Sequence, residues 1–219
     1  MPLELHAVET RILGCLLEKE RLTPENYPLS LHSLAAACNQ TSNRDPITAY
    51  DEATVEDGLN ALREKKLAMV LFGAGSRVQK YRHRLLEHYD LKPEELALIC
   101  VLLLRGPQTL GELRTRTERH FTFATLDAVR QCLEDLAKGQ TALVGLLPQR
   151  PGQKEQRYFQ RLSAASLLEN SASENAPLES TPSGGVRERL DNLEKQVGEL
   201  HEVLQQVREE LSAFRRQFE

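Results

Sequence analysis

KYRHRL (Lys80–Leu85) and RYFQRL (Arg157–Leu162) are two copies of one pattern, and aligning them decides how the chain is read. Each follows an apolar run, LAMVLF (Leu67–Phe72) in the first case and ALVGLL (Ala142–Leu147) in the second. A glycine-containing loop, GAGSRVQ or PQRPGQKEQ, separates the run from the copy. Two strands about a loop make a β-hairpin, so the pattern predicts two hairpins.

Working upstream, each hairpin is preceded by an apolar stripe at helical spacing. Val55, Leu59 and Leu62 form the first stripe; Leu126, Val129, Leu133 and Leu136 form the second. Thr54 with Asp57 three residues on has the form of a capping box and predicts the start of the first of these helices. Further upstream, Ile12, Leu13, Leu16 and Leu17 correspond to Leu98, Ile99, Leu102 and Leu103. Between the outer helices lie PLSLHSLAAACNQ and QTLGELRTRTERH, each a short amphipathic helix after a proline-marked break. Four elements therefore recur in the same order, helix, helix, helix, hairpin, which is the order of the winged-helix form of the helix-turn-helix. The expected fold class is mainly α with small β-hairpins (α+β). It comprises two tandem winged-helix domains, residues 1–88 and 89–162, plus a C-terminal coiled-coil helix.

The text changes after the second copy. Residues 163–185 are rich in Ser, Ala, Pro, Asn and Glu without an apolar period, which predicts a flexible linker. Over residues 186–219 the apolar positions step by four and three. Leu190, Val197, Leu204, Leu211 and Phe218 take the a sites of a heptad; Val186, Leu193, Leu200, Val207 and Phe214 take d. In a parallel pair Arg189 would face Glu194 and Glu210 would face Arg215, contacts worth roughly 0.2–1 kcal/mol each. A parallel homodimer is the first expectation. Gly198 and the apolar Val203 at a g site weaken it, and the alternative is an amphipathic helix docking on a partner or on its own domains.

Composition narrows the function classes. The 219 residues are 40% hydrophobic and 27% charged, with a formal net charge of -4, so any contact with nucleic acid must come from a local basic patch. Cys15, Cys38, Cys100 and Cys132 form no C-x-x-C pair and sit among apolar residues, which predicts buried reduced thiols and a cytoplasmic setting. The most apolar run, Leu96–Leu104, is too short to span a bilayer, and no leader follows a basic start. No phosphate loop, metal-ligand spacing or catalytic grouping stands out, so no enzyme activity, cofactor or metal is expected.

The basic residues carry the functional expectation. Arg77, Lys80, Arg82 and Arg84 lie in the first hairpin without an intervening acid, and strand alternation places Lys80, Arg82 and Arg84 on one face. The second hairpin offers Arg150, Lys154, Arg157 and Arg161, interrupted by Glu155. Basic wings would contact DNA phosphate and position the protein without reading sequence. A further set, Arg114, Arg116, Arg119 and Arg130, is diluted by Glu112, Glu118 and Asp127. NQTSNRDPITAYDEATVED (Asn39–Asp57) opposes DNA reading by the first copy, because acid crowds the point where a recognition helix would begin. It reads as a polar turn and an acidic helix start, with Asn43 and Arg44 as the alternative polar contact groups.

TPENYPLSLHSLAAACNQTSNRDP (Thr23–Pro46), followed by SRVQKYRHR (Ser76–Arg84), resembles the bacterial YceH family of uncharacterised proteins. The resemblance runs from about Leu3 to Leu162 and implies two tandem winged-helix domains. It implies no activity and no functional residues. Two expectations of different kinds follow. The first is a non-enzymatic DNA-binding or transcription-regulating protein that binds double-stranded DNA as a coiled-coil homodimer. The second is a scaffold for a protein partner, as the tandem winged helices of the chromosome-segregation protein ScpB provide.

Overall fold

The computed structural model describes residues 4–72, 78–138, 142–149 and 153–163. The linker and heptad segment, and with it Leu190, Leu193, Val197, Leu200, Leu204, Val207 and Leu211, lie outside the described residues.

The architecture is α+β, with seven α-helices and two small antiparallel sheets among the described residues. The first copy runs α1 (Ala7–Leu22), a short strand β1 (Leu29–Ser30), α2 (Leu31–Cys38), α3 (Glu52–Glu64), β2 (Ala68–Phe72), β3 (Gln79–His83) and a single helical turn α4 (Leu85–His88). The second runs α5 (Pro93–Arg105), α6 (Leu110–Thr117), α7 (Leu126–Leu136), β4 (Val144–Leu146) and β5 (Tyr158–Gln160). The order helix, helix, helix, hairpin therefore occurs twice.

Local chemistry sets the helix ends. Ser30 caps α2 by accepting from the Ser33 amide at 3.2 Å. Thr109 and Glu112 form a reciprocal capping box on α6, and Thr125 accepts from the Ala128 amide at the start of α7. For α3 the cap is Asp51, whose carboxylate accepts from the Thr54 amide at 2.8 Å. The helix thus begins three residues before the expected Thr54 cap, because an aspartate acceptor was available sooner. Pro93 opens α5 at its first turn, where the missing N–H costs nothing, and Gly106 ends it with a positive φ of 66°.

The first sheet has one strand more than a hairpin. Its order is β1-β3-β2, with Leu29 opposite Tyr81 on one side and Val70 opposite Tyr81 on the other. In the second copy, the place of β1 is taken by a lone bridge between Gln108 and Tyr158.

One continuous core runs through both copies. Ile12, Leu13, Leu16 and Leu17 of α1 and Leu98, Ile99, Leu102 and Leu103 of α5 are all buried. Each such side chain stabilises the fold by about 1.5–3 kcal/mol relative to exposure. α1 is buried along most of its length, from Glu9 to Glu18, because α2 and α3 pack on it and α5 covers it as well. Gly14 permits that approach: a Cβ there would sit 2.8 Å from Leu104 Cδ2 and 3.1 Å from Leu103 Cβ. The folded body closes on itself at its ends, since the Leu5 amide donates to the Leu162 carbonyl at 2.7 Å and the Thr10 and Ser163 hydroxyls bond at 2.8 Å. Ser163 is accordingly part of the buried body.

All four cysteines are free and buried. Desolvation pushes the Cys132 thiol up to about 12 and Cys100 well above the ordinary range, so neither is a ready nucleophile.

Gly111 gives a stability prediction. It lies exposed in α6, and an added Cβ meets nothing within 4 Å. Gly111→Ala should stabilise the protein by about 0.5–1 kcal/mol through helix propensity alone. A urea titration should show a higher midpoint with an unchanged slope.

Candidate nucleic-acid interface

The first hairpin is rooted in the core by His83. The Leu85 amide donates to His83 Nδ1 at 3.3 Å, which leaves the proton on Nε2 to be donated to Glu20 Oε2 of α1 at 2.6 Å. The Glu20 carboxyl is held below its usual range by that hydrogen bond. The His83 amide donates to the Tyr27 hydroxyl at 2.9 Å, and burial pushes the Tyr27 phenol well up.

Strand alternation sorts the hairpin as the sequence predicts. Tyr81, His83 and Leu85 are buried, whereas Lys80 is exposed and Arg82 and Arg84 are partly exposed. The solvent face of the sheet therefore carries Lys80 and Arg82 beside the half-buried Met69 and Leu71.

The charge on that face is smaller than the residue count implies. Glu87, on the turn α4, reaches back to both arginines. Arg84 Nε donates to it at 2.7 Å and Arg82 Nη2 at 3.2 Å. Sequence reading counted no acid between Arg77 and Arg84, but the neutralising acid lies three residues beyond. Lys80 has no ion pair among the described residues. Arg77 and Arg150 lie outside the described residues.

In the second hairpin the described basic residues, Lys154, Arg157 and Arg161, do not form one surface. Arg157 turns inward, donating to Glu112 Oε2 at 2.8 Å and to the Pro107 carbonyl at 3.0 Å. It ties β5 to the start of α6, and its expected role as a free phosphate ligand does not fit that placement. Lys154 and Arg161 are exposed and have no ion pair among the described residues. Arg114 is exposed but donates to the Ala124 carbonyl at 3.1 Å.

Arg44 is the clearest correction. Its guanidinium is wholly buried and forms a two-pronged ion pair with Glu18, at 2.6 and 3.0 Å. Further bonds reach the Ala37 carbonyl at 3.1 Å and Gln40 Oε1 at 3.0 Å. Burial pushes the Glu18 carboxyl up, but the hydrogen bonds and charge of Arg44 outweigh it and hold the group below its ordinary value. Asn43, beside it, is half-buried with a positive φ of 58° and accepts from Arg105 Nη2 at 3.1 Å. Asn43 is thus a left-handed turn residue contacting the second copy, and Arg44 is a core residue; neither presents a free contact group. Arg11 adds to the same clasp, with Nη1 on the Cys38 carbonyl and Nη2 on the Pro46 carbonyl. The acidic face that remains exposed on α3 comprises Glu52, Glu56, Asp57 and Glu64.

Among the described residues no group of His, Cys, Asp or Glu is arranged to hold a metal ion, and no helix is long and apolar enough to cross a membrane.

These features define an α+β protein of two like halves with a partly neutralised basic hairpin. A family model described as a protein of unknown function, DUF480, matches residues 5–153, and the chain belongs to that family. Relatives called UPF0502 protein are similar over most or all of the chain. One from Pelobacter propionicus is 47% identical over 222 residues, covering 100% of both chains. Another from Solibacter usitatus is 45% identical over 219 residues, again covering 100% of both. A third, from Opitutus terrae, is 51% identical over 174 residues, covering 79% of this chain and 75% of the relative.

Proposed function

We propose that this is a non-enzymatic tandem winged-helix protein that binds double-stranded DNA through its hairpins, as a cytoplasmic homodimer. The observation that supports this reading is the alternation of the first hairpin, which anchors Tyr81 and His83 in the core and turns Lys80 and Arg82 to solvent. Lys154 and Arg161 supply corresponding exposed charge in the second copy. Arg82 and Arg84 contribute less than their number, because they share the one carboxylate of Glu87. Contacts of this kind position a protein on phosphate and carry no sequence information.

The expected salt dependence follows from three free cations. Affinity of the homodimer for mixed-sequence duplex should fall with a log–log slope of about -5.4, that is about -0.9 for each of Lys80, Lys154 and Arg161 in both copies. Changing any one of them to alanine should reduce the slope by about 1.8. Absence of binding at low salt would remove the DNA reading.

The second reading is a scaffold for a protein partner. It is favoured by the exposed acid of α3, at the place where a DNA-reading helix would meet phosphate. Retention of the protein by a basic partner surface, with no affinity for duplex, would support it.

A further inference from the structure

The first sheet has an unguarded edge. β2 is the last strand in the order β1-β3-β2. The Arg84 amide donates to the Leu67 carbonyl at 2.7 Å, so Leu67 and Arg84 are a hydrogen-bonded pair. Bonded pairs recur every second residue in an antiparallel ladder, so Met69 with Arg82 and Leu71 with Lys80 are bonded too. The backbone groups of Ala68, Val70 and Phe72 therefore point away from β3. No partner for them occurs among the described residues.

Edge strands are normally blunted by charge, proline or a bulge. β2 has none of these: its sequence is Ala-Met-Val-Leu-Phe. Phe72 is 72% exposed, the most exposed large apolar side chain among the described residues. Val78, 56% exposed, immediately precedes β3.

We propose that β2 is a pairing edge whose partner is β2 of a second copy of this chain, joined antiparallel about a twofold axis at Val70. The strand is self-complementary in that register. Val70 meets its symmetry mate, Ala68 meets Phe72 of the partner, and Met69 meets Leu71 of the partner. Small opposes large at one position, and like-sized side chains meet at the next. The outward groups of Ala68, Val70 and Phe72 then form about six hydrogen bonds across the axis. Directly opposed residues point to the same side of a sheet, so both copies keep their helices on one face. Lys80 and Arg82 of each copy share the other face, in a continuous six-stranded sheet. A register shifted by one residue would turn one core face outward, which excludes it. A charged partner strand gains nothing here, because β2 offers it no opposite charge. The interface is isologous and closes at two copies.

The test reads individual amides in the purified full-length protein by hydrogen exchange. The inward amides of Met69 and Leu71 are bonded to β3 in any case and report that the hairpin is folded. The outward amides of Val70 and Phe72 should exchange at least about tenfold more slowly than in Phe72→Lys, which places a charge opposite the partner's Ala68. Val70→Cys should form a disulfide-linked dimer on mild oxidation, because Cα atoms of a bonded antiparallel pair lie about 5.5 Å apart, within disulfide reach. Ile47→Cys, more exposed than Val70 but off the sheet, should not. The proposal is overturned if Val70 and Phe72 exchange as fast in the natural sequence as in Phe72→Lys while Met69 and Leu71 stay protected. It is also overturned if Val70→Cys remains uncrosslinked in a folded protein. If Val70→Cys perturbs folding, the exchange comparison alone decides.

Discussion

Arg44→Ala should destabilise the folded protein by about 3–5 kcal/mol, since it leaves the buried Glu18 carboxylate without its two-pronged partner and with only the longer 3.5 Å contact to Lys19. The loss reaches beyond one pair. Arg44 also satisfies the Ala37 carbonyl at the end of α2 and Gln40 in the loop beyond it. That loop in turn touches the second copy, through the Asp45 amide on the Leu104 carbonyl at 3.0 Å. A urea titration measures the cost, and the pH dependence identifies its origin. In the natural sequence the folded Glu18 carboxyl titrates below its unfolded value, so the stabilisation is present above the unfolded pKa of roughly 4.3. It is lost as pH falls through the folded value. In Arg44→Ala desolvation of Glu18 is opposed only by the weaker pull of Lys19 and His120, so its folded pKa rises, and acid should narrow the gap between the two proteins. A cost below about 1 kcal/mol, or a gap independent of pH, would show that the pair does not hold the loop.

Gly14→Val is expected to have the second-largest effect, about 3 kcal/mol, at the top of the usual range for overpacking. The new side chain would meet Leu104 Cγ at 2.9 Å and Leu103 Cβ at 3.1 Å across the contact between α1 and α5. Leu104 Cδ2 can rotate aside; Leu103 Cβ is fixed to its backbone, so the helices must separate. Gly14→Ala should cost less, because helix propensity returns about 1 kcal/mol of the strain. A melting curve that splits into two transitions in Gly14→Val would show that each repeat retains a fold when the contact between them fails. A value equal to that of Gly14→Ala would mean that α1 and α5 yield easily.

The repeated element order was legible because its signals are local. Leu and Ile at helical spacing mark α1 and α5, and the alternation of KYRHRL sets both faces of β3. What was not legible depends on distant partners. Arg44 looks like a surface cation in a polar turn, and nothing nearby shows that Glu18, 26 residues earlier on α1, waits for it. The free charge of the first hairpin was overestimated for a related reason: LLEH folds into the turn α4 and brings Glu87 back over the strand. The Asp51 cap could have been read, with the aspartate weighed ahead of Thr54. The edge position of β2 could not, because an uncharged AMVLF reads as an interior strand.

The bond between Leu5 and Leu162, with Thr10 against Ser163, has a consequence for the timing of folding during synthesis. Its two sides are separated by nearly the whole folded body, so the ribosome delivers the second about 8–30 s after the first at ordinary elongation rates. Until residues 93–105 emerge, in the earlier part of that interval, α1 can settle onto α2 and α3 while the face meant for α5 stays open to water. The first repeat must therefore hold its shape unaided until the second arrives. Such long-range closure is slow to form, and the nascent chain carries its most apolar helix face exposed through that wait, a window in which a chaperone has something to hold.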